Sequence, residues 1–300
     1  MTGLLFLIQT TAVAAAPRSF SVDEPTPQNT QAAQRYLTAL LRNPRPGTAF
    51  EKVCAWHADR GSAGTFRNAL LQFAVEAGAI SADALPNAPT VAAPPLPSDA
   101  ATEVLGIPAA TSADAALLLA GLLDLRHGEP QHAALLLARA AELRPNDPVT
   151  RWMLARALDQ SDQATAATAA FEAALALKPP RVDLAEIHRD YAECLQRQRQ
   201  PEKSLQVWQR LEQAFPGDRR VLRQVARALA RDGRWTDALT RFEQLSITAS
   251  ETEDRIAAEL EVCEALQQLE RSKDSLTRLQ SLLPELDPAA WLYRDVRARI

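Results

Sequence analysis

Two apolar stretches of this chain close on nearly the same signature, "ALLLARAAELRPNDP" at 134–148 and "ATAAFEAALALKPP" at 167–180. Superimposing them sets Pro179 on Pro145, Ala174 on Ala140, Phe171 on Leu137 and Ala167 on Ala133, each pair 34 residues apart. A fixed period of this length marks an array of hairpins, none of which can bury its apolar faces alone. The positions inside the unit have their own physics. Antiparallel helices approach closely only where small residues meet, and Gly121 with Ala133, then Ala155 with Ala167, supply them. The large residue four positions after the second Ala fills the gap toward the next unit. The closing proline ends the second helix, because it has no N–H to donate and restricts the residue before it. Asp147 is then placed to cap the following helix, with Pro148 at its first position.

Composition agrees with helices stacked on helices. Apolar residues make up 47% and charged residues 23% of the 300, while Gly numbers only 10 and aromatics 5%, which leaves little material for strands and tight turns. The net charge of -4 argues against a general nucleic-acid binder. Cys54, Cys194 and Cys263 are odd in number and far apart, so they define neither a disulfide framework nor a paired zinc site and read as small core residues. Nothing beyond the first residues approaches the run of about 18 apolar residues that a membrane span requires.

The small-residue and terminal-proline positions resemble those of the tetratricopeptide repeat family. Further copies fit with Ser204 and Trp208, with Gly233, Ala238 and Phe242, and with Ser275 and Leu279. Between copies two and three, and again between four and five, the offset is a few residues longer, which predicts a longer connection and a local change of superhelical pitch. The resemblance implies an all-α fold, a right-handed α-solenoid of about five helix-turn-helix hairpins over 112–286, preceded by a small N-terminal helical unit.

The remaining segments divide by composition. Residues 1–16 carry a short apolar run, Leu4 to Ile8, and an Ala14-Ala15-Ala16 cleavage pattern, so a removable signal peptide is expected. Export to a periplasmic or envelope-associated location follows from that reading; otherwise the protein is cytoplasmic. Residues 17–30 read as an extended polar lead-in, and 31–80 as three short helices, the second opened by a Thr48–Glu51 capping box. An Ala/Pro-rich linker at 81–111 is expected to separate these from the array. The opening "RNPRPGTAFEKVCAWHADRG" is similar to the N-terminal part of large, apparently exported bacterial tetratricopeptide proteins. Residues 287–300 read as the start of a further truncated helix or cap, bearing Trp291 and Tyr293, in a chain expected to continue.

No nucleophile elbow, zinc-protease helix, dinucleotide fingerprint or phosphate-binding loop occurs, so no catalytic residue, metal site or cofactor is assigned. Cys54 and His57 share a helix face without a second ligand pair and read as core. His127 and His132 flank a turn, and His188 reads as a surface histidine. The family resemblance implies that the second, fifth, ninth and neighbouring positions of each first helix line a concave groove that holds extended peptides or partner helices. Here those are Leu118 and Leu122, then Trp152 and Arg156, then Arg189 and Glu193, and finally Arg220, Arg223, Arg227 and Arg231. The groove is thus expected to run from apolar to basic. Arginines at 223, 227 and 231 repel one another along one helix, an arrangement suited to forking onto a partner's carboxylates, although acids on adjacent helices such as Glu186, Glu193 and Glu264 could pair with them instead. The reading is a scaffold for a protein or peptide bearing acidic groups, with no membrane span and no nucleic acid. Its alternative is the non-catalytic arm of a larger enzyme or regulator whose active domain lies beyond residue 300.

Overall fold

The computed structural model describes residues 27–84 and 104–300, all helix and connection. The expected signal peptide, the first part of the lead-in and most of the linker lie outside the described residues. Helices α1 (Pro27–Arg42), α2 (Thr48–Asp59) and α3 (Ala63–Glu76) come first. Five hairpins follow: α4 (Ala113–Arg126) with α5 (Pro130–Leu143), α6 (Pro148–Gln160) with α7 (Ala164–Ala176), α8 (Arg181–Arg197) with α9 (Pro201–Ala214), α10 (Arg219–Arg231) with α11 (Trp235–Ile247), and α12 (Thr252–Gln268) with α13 (Ser272–Leu282). Helix α14 (Trp291–Arg299) closes the described chain. Each hairpin packs on the next, so the array is an all-α solenoid of tetratricopeptide repeats.

The hairpins are joined alike. Three residues connect the two helices of every repeat, and the middle one always has positive φ: Gly128 at 78°, Asp162 at 60°, Arg199 at 56°, Gly233 at 75° and Glu270 at 60°. Only glycine adopts this backbone without steric cost, so three of the five turns hold a strained side chain. The expected cap is present: the Asp147 carboxylate accepts from the Val149 and Thr150 N–H groups at 3.3 and 3.1 Å, with Pro148 first in α6. Asp218 does the same for α10, accepting from Arg220 N at 2.9 Å. The capping box at Thr48 does not form, because Thr48 is already inside α2 and Gly47 takes the cap position.

The small-residue seam is real and tight. Ala133, Ala167, Ser204, Ala238 and Ser275 are all buried. In the third and fifth repeats the serine replaces the usual alanine and donates across the hairpin, Ser204 Oγ to Ala192 O at 3.0 Å and Ser275 Oγ to Cys263 O at 3.1 Å. These two repeats also absorb the extra residues of the longer offset. The extra length sits in helices α8 and α12, 17 residues each, against 13 or 14 in α4, α6 and α10, rather than in the expected longer connection. A helical residue satisfies its own backbone polar groups, which an added loop residue does not.

The composition break at 81–111 is not a break in packing. One buried cluster runs from Ala33 and Leu37 on α1 through Phe66 and Leu70 on α3 into the repeats, with Leu105 inside it, and Gln34 Nε2 donates to Gly106 O at 2.6 Å. Arg67 on α3 and Asp124 on α4 form a buried bidentate pair, Nη2 to Oδ2 at 2.7 Å. Removing either partner strands a charge in the core, at a cost of about 3–5 kcal/mol. The N-terminal helices are therefore fixed to the array rather than tethered beside it.

A Cβ added at Gly121 would lie 2.6 Å from Leu137 Cγ, well inside contact distance. Gly121→Ala gains about 1 kcal/mol of helix propensity but overpacks the seam by about 1–3 kcal/mol. Urea denaturation is expected to show a net loss of about 1 kcal/mol; a more stable variant would contradict the seam's close approach.

Candidate functional site

The residues expected to form the apolar end of the groove are not at the surface. Leu118 and Leu122 are buried on α4, where α1 and α3 pack against that helix. The N-terminal connection reaches further. Arg45 pairs with Asp183 at the start of α8 at 3.2 Å, while Glu51, six residues on, holds Arg126 at the end of α4 at 2.5 Å. The N-terminal helices thus cover α4, and the connection between α1 and α2 reaches the start of α8. Trp152, expected to be accessible, is buried and donates its indole N–H to Asp190 at 2.9 Å. Asp190 also faces Arg156 Nε at 3.5 Å and Arg189 Nη2 at 3.1 Å, so three of the expected groove residues converge on one acid.

The basic end is open. Helices α4, α6 and α8 touch in succession, whereas α8, α10 and α12 are spaced more widely. Between them lies a groove of about 810 Å³ lined by Arg189, Glu193, Arg220, Arg223, Arg227 and Arg231, residues named above from the family resemblance. Sequence reasoning missed five further contributors: Arg219, Gln224 and Ala228 on α10, Trp208 on α9 and Asp254 on α12. Six arginines face three acids, Glu186, Glu193 and Asp254, across this groove. In a chain of net charge -4 that is a concentrated local reversal of sign.

Most of the stripe is paired between repeats. Arg231 donates to Glu193 at 3.2 Å, and Arg227 to Glu261 at 2.6 Å. Arg189 pairs with Glu186 as well as Asp190. Of the acids expected as partners, Glu193 serves the stripe, Glu186 serves its own helix, and no ion pair involves Glu264 among the described residues. Arg223 is held loosely, with an Asp254 oxygen 3.6 Å from its Nη1 and Glu261 Oε2 3.5 Å from its Nε, while Arg219 is anchored through Nη1 on Leu245 O at 2.9 Å and Thr248 Oγ1 at 2.8 Å and leaves its Nη2 3.8 Å from Asp254. Arg220 is exposed and has no side-chain partner among the described residues.

The titratable groups elsewhere are structural. Burial pushes the Cys54 thiol up to about 11 and Cys194 to about 12, so neither supplies a thiolate near neutrality. His188, expected on the surface, is buried and bonded to the Leu184 carbonyl at 2.8 Å, with its pKa lowered by burial. His57 is buried between Phe66, stacked at 4.1 Å, and Ser62 Oγ at 2.8 Å. Among the described residues no group of His, Cys, Asp and Glu is placed to hold a metal, and no helix is long and apolar enough to cross a membrane.

No family model matches the sequence, and no curated protein matches it. Solved structures do. The chain is similar to YrrB, described as a TPR protein with an unusual peptide-binding site, at 17% identity and TM-score 0.39, over 61% of this chain and 91% of that one. It is similar to MamA at 18% identity and TM-score 0.35, over 54% and 81%. Kinesin light chain TPR-like repeats of Podosopora anserina align at 18% identity and TM-score 0.42, over 61% and 94%. The repeat type follows from the chain's own period and packing.

His57 gives a measurable pH signature. Burial first, and the nearby Arg60 charge second, bring its pKa down to about 4 from the ordinary value near 6.5. The unfolded chain therefore takes up a proton that the folded chain refuses, and stability present above about pH 6.5 is lost as pH falls to about 4. The loss is on the order of 3 kcal/mol. Urea midpoints measured across this window are expected to vary less in His57→Gln; an unchanged pH slope would contradict the assignment.

Proposed function

With an array built of tetratricopeptide hairpins, we propose that this chain is a non-catalytic interaction scaffold whose open groove between α8, α10 and α12 holds an acidic segment of a partner protein. The observation that carries this reading is the state of the arginines. Pairing between repeats accounts for Arg227 and Arg231, yet it leaves Arg220 unpaired and exposed, Arg223 without a close acceptor, and Arg219, though anchored through Nη1, with its Nη2 unmatched. A helix that needed only solubility would intersperse glutamates, as α12 does with Glu253, Glu259, Glu261 and Glu264. Held guanidinium groups fork onto carboxylates with little further loss of side-chain freedom, and α10 is anchored on its other face by buried Val221, Val225 and Leu229.

The groove also begins where self-coverage ends. The N-terminal helices pack on α4, and Arg45 between α1 and α2 reaches Asp183, so the first repeat is covered while the groove between α8, α10 and α12 stays open. An apolar anchor from Leu118 or Leu122 plays no part in this reading. Export, suggested by residues 1–16, would place the scaffold in a periplasmic or envelope setting.

The test is affinity capture with the full chain, comparing parent and Arg220→Glu. This substitution leaves every arginine-acid pair of the groove in place, so folding is retained. A specific partner is expected to fall at least about tenfold in recovery, the effect of losing one charge-assisted contact of about 1.5–3 kcal/mol. The same partner should be released at about 0.5 M salt, where screening extends over only about 4 Å. Undiminished recovery under both conditions would remove the groove from the binding surface.

A further inference from the structure

The floor of the groove has donors without acceptors. Trp208 is only 1% exposed and lines the groove from α9, and its indole N–H has no hydrogen-bond partner. Arg223 Nε and Nη2 and Arg219 Nη2 are likewise buried and unmatched. Buried polar groups are nearly always paired, and each unmatched donor costs about 1–3 kcal/mol. A cluster on one floor is the signature of a place meant for an acceptor. The indole N–H of Trp152 is met by Asp190 at 2.9 Å, while that of Trp208, like that of Trp56 on α2, has no partner among the described residues; at Trp208 alone the unmatched arginine donors stand on the same groove.

The acids nearby do not fill the role. Asp254 and Glu261 stand 3.5 to 3.8 Å from the Arg219 and Arg223 nitrogens, whereas Arg241 and Glu212, a pair on the neighbouring face, close to 2.6 Å. Glu261 Oε2 itself has no hydrogen bond. The donors are thus drawn toward negative charge without being satisfied by it.

We propose that this floor, formed by Trp208, Arg219, Arg220 and Arg223, receives a doubly charged tetrahedral oxyanion, the phosphoryl group of a phosphorylated side chain. The proposal rests on the groove reading above and names the group that the partner segment carries. Three features select phosphoryl over carboxylate. With the free guanidinium of Arg220 added to the four unmatched donors, the donors outnumber the roughly four lone-pair sites on a carboxylate's two oxygens. Among the described residues the floor arginines, Arg219, Arg220 and Arg223, face only Asp254 and a Glu261 already shared with Arg227, an excess that a dianion offsets better than a monoanion. Indole N–H and guanidinium offer donors only, which suits an acceptor-only ligand such as a phosphomonoester above its second pKa of about 6.

The experiment records the indole N–H resonances of the isotopically labelled full chain at pH 7.5, with Trp208→Phe identifying the Trp208 signal. Sodium phosphate, sodium acetate and sodium chloride are titrated at matched ionic strength. The Trp208 signal is expected to move and saturate with phosphate at a concentration at least about tenfold below that needed for acetate, and Arg220→Gln should raise the phosphate requirement at least about threefold. An acidic peptide with one phosphoserine should saturate the same shift at least about tenfold below inorganic phosphate. Equal potency of phosphate and acetate overturns phosphoryl selectivity and leaves a carboxylate groove. Equal potency of peptide and free phosphate overturns the side-chain source. A Trp208 signal that follows chloride alone overturns the anion site, while partner loss from Arg220→Glu would still uphold the groove.

Discussion

The close approach of two helices at a small residue is the constraint on which the rest of this structure depends. Gly121 against Leu137 shows how little room the seam has, and Ala133, Ala167, Ser204, Ala238 and Ser275 repeat the condition down the array. Because each hairpin is closed by small residues, its large ones are turned outward toward the next hairpin. Phe171 stacked on Tyr191 at 5.3 Å, and buried Trp208 and Phe242, fill those spaces between units. Packing to neighbours then fixes where the first helices stand, and with them the face that the arginines occupy.

Charge is organised by the same period. Trp152 with Asp190, Arg210 with Glu172 and Arg231 with Glu193 are each 38 residues apart, and Arg227 with Glu261 is 34 apart. Contacts between equivalent helices of adjacent repeats therefore fall one period away, or one period plus a helical turn. Where this ladder is complete, as around Asp190, the surface is self-satisfied. Where it is incomplete, at Arg220 and Arg223, donors are left over for the proposed partner.

The sequence alone makes the hairpins readable, since their physics is local and periodic: small positions, closing prolines, the Asp147 cap and the basic face of α10 all recur at fixed offsets. The partners of the arginines were also within reach, because acids at offsets of 34 and 38 can be counted without coordinates. What covers Leu118 and Leu122 was not, since α1 to α3 do not share the period and their docking rests on contacts such as Arg67 with Asp124 and Arg45 with Asp183, which no spacing rule connects. The burial of His188 was hidden for a related reason. It faces neighbouring elements whose register is shifted by the extra turn of α8, a turn the offset announced but did not locate.

If the open groove between α8, α10 and α12 is the binding surface, an acidic ligand protects its walls and leaves the N-terminal helices unchanged. Hydrogen–deuterium exchange of the full chain, with and without a poly-glutamate peptide as the acidic probe, tests it most directly. The account predicts slowed exchange in α8 and α10, with α1 to α4 unchanged. Protection confined to α1 to α4, with α8 and α10 unaffected, would contradict it.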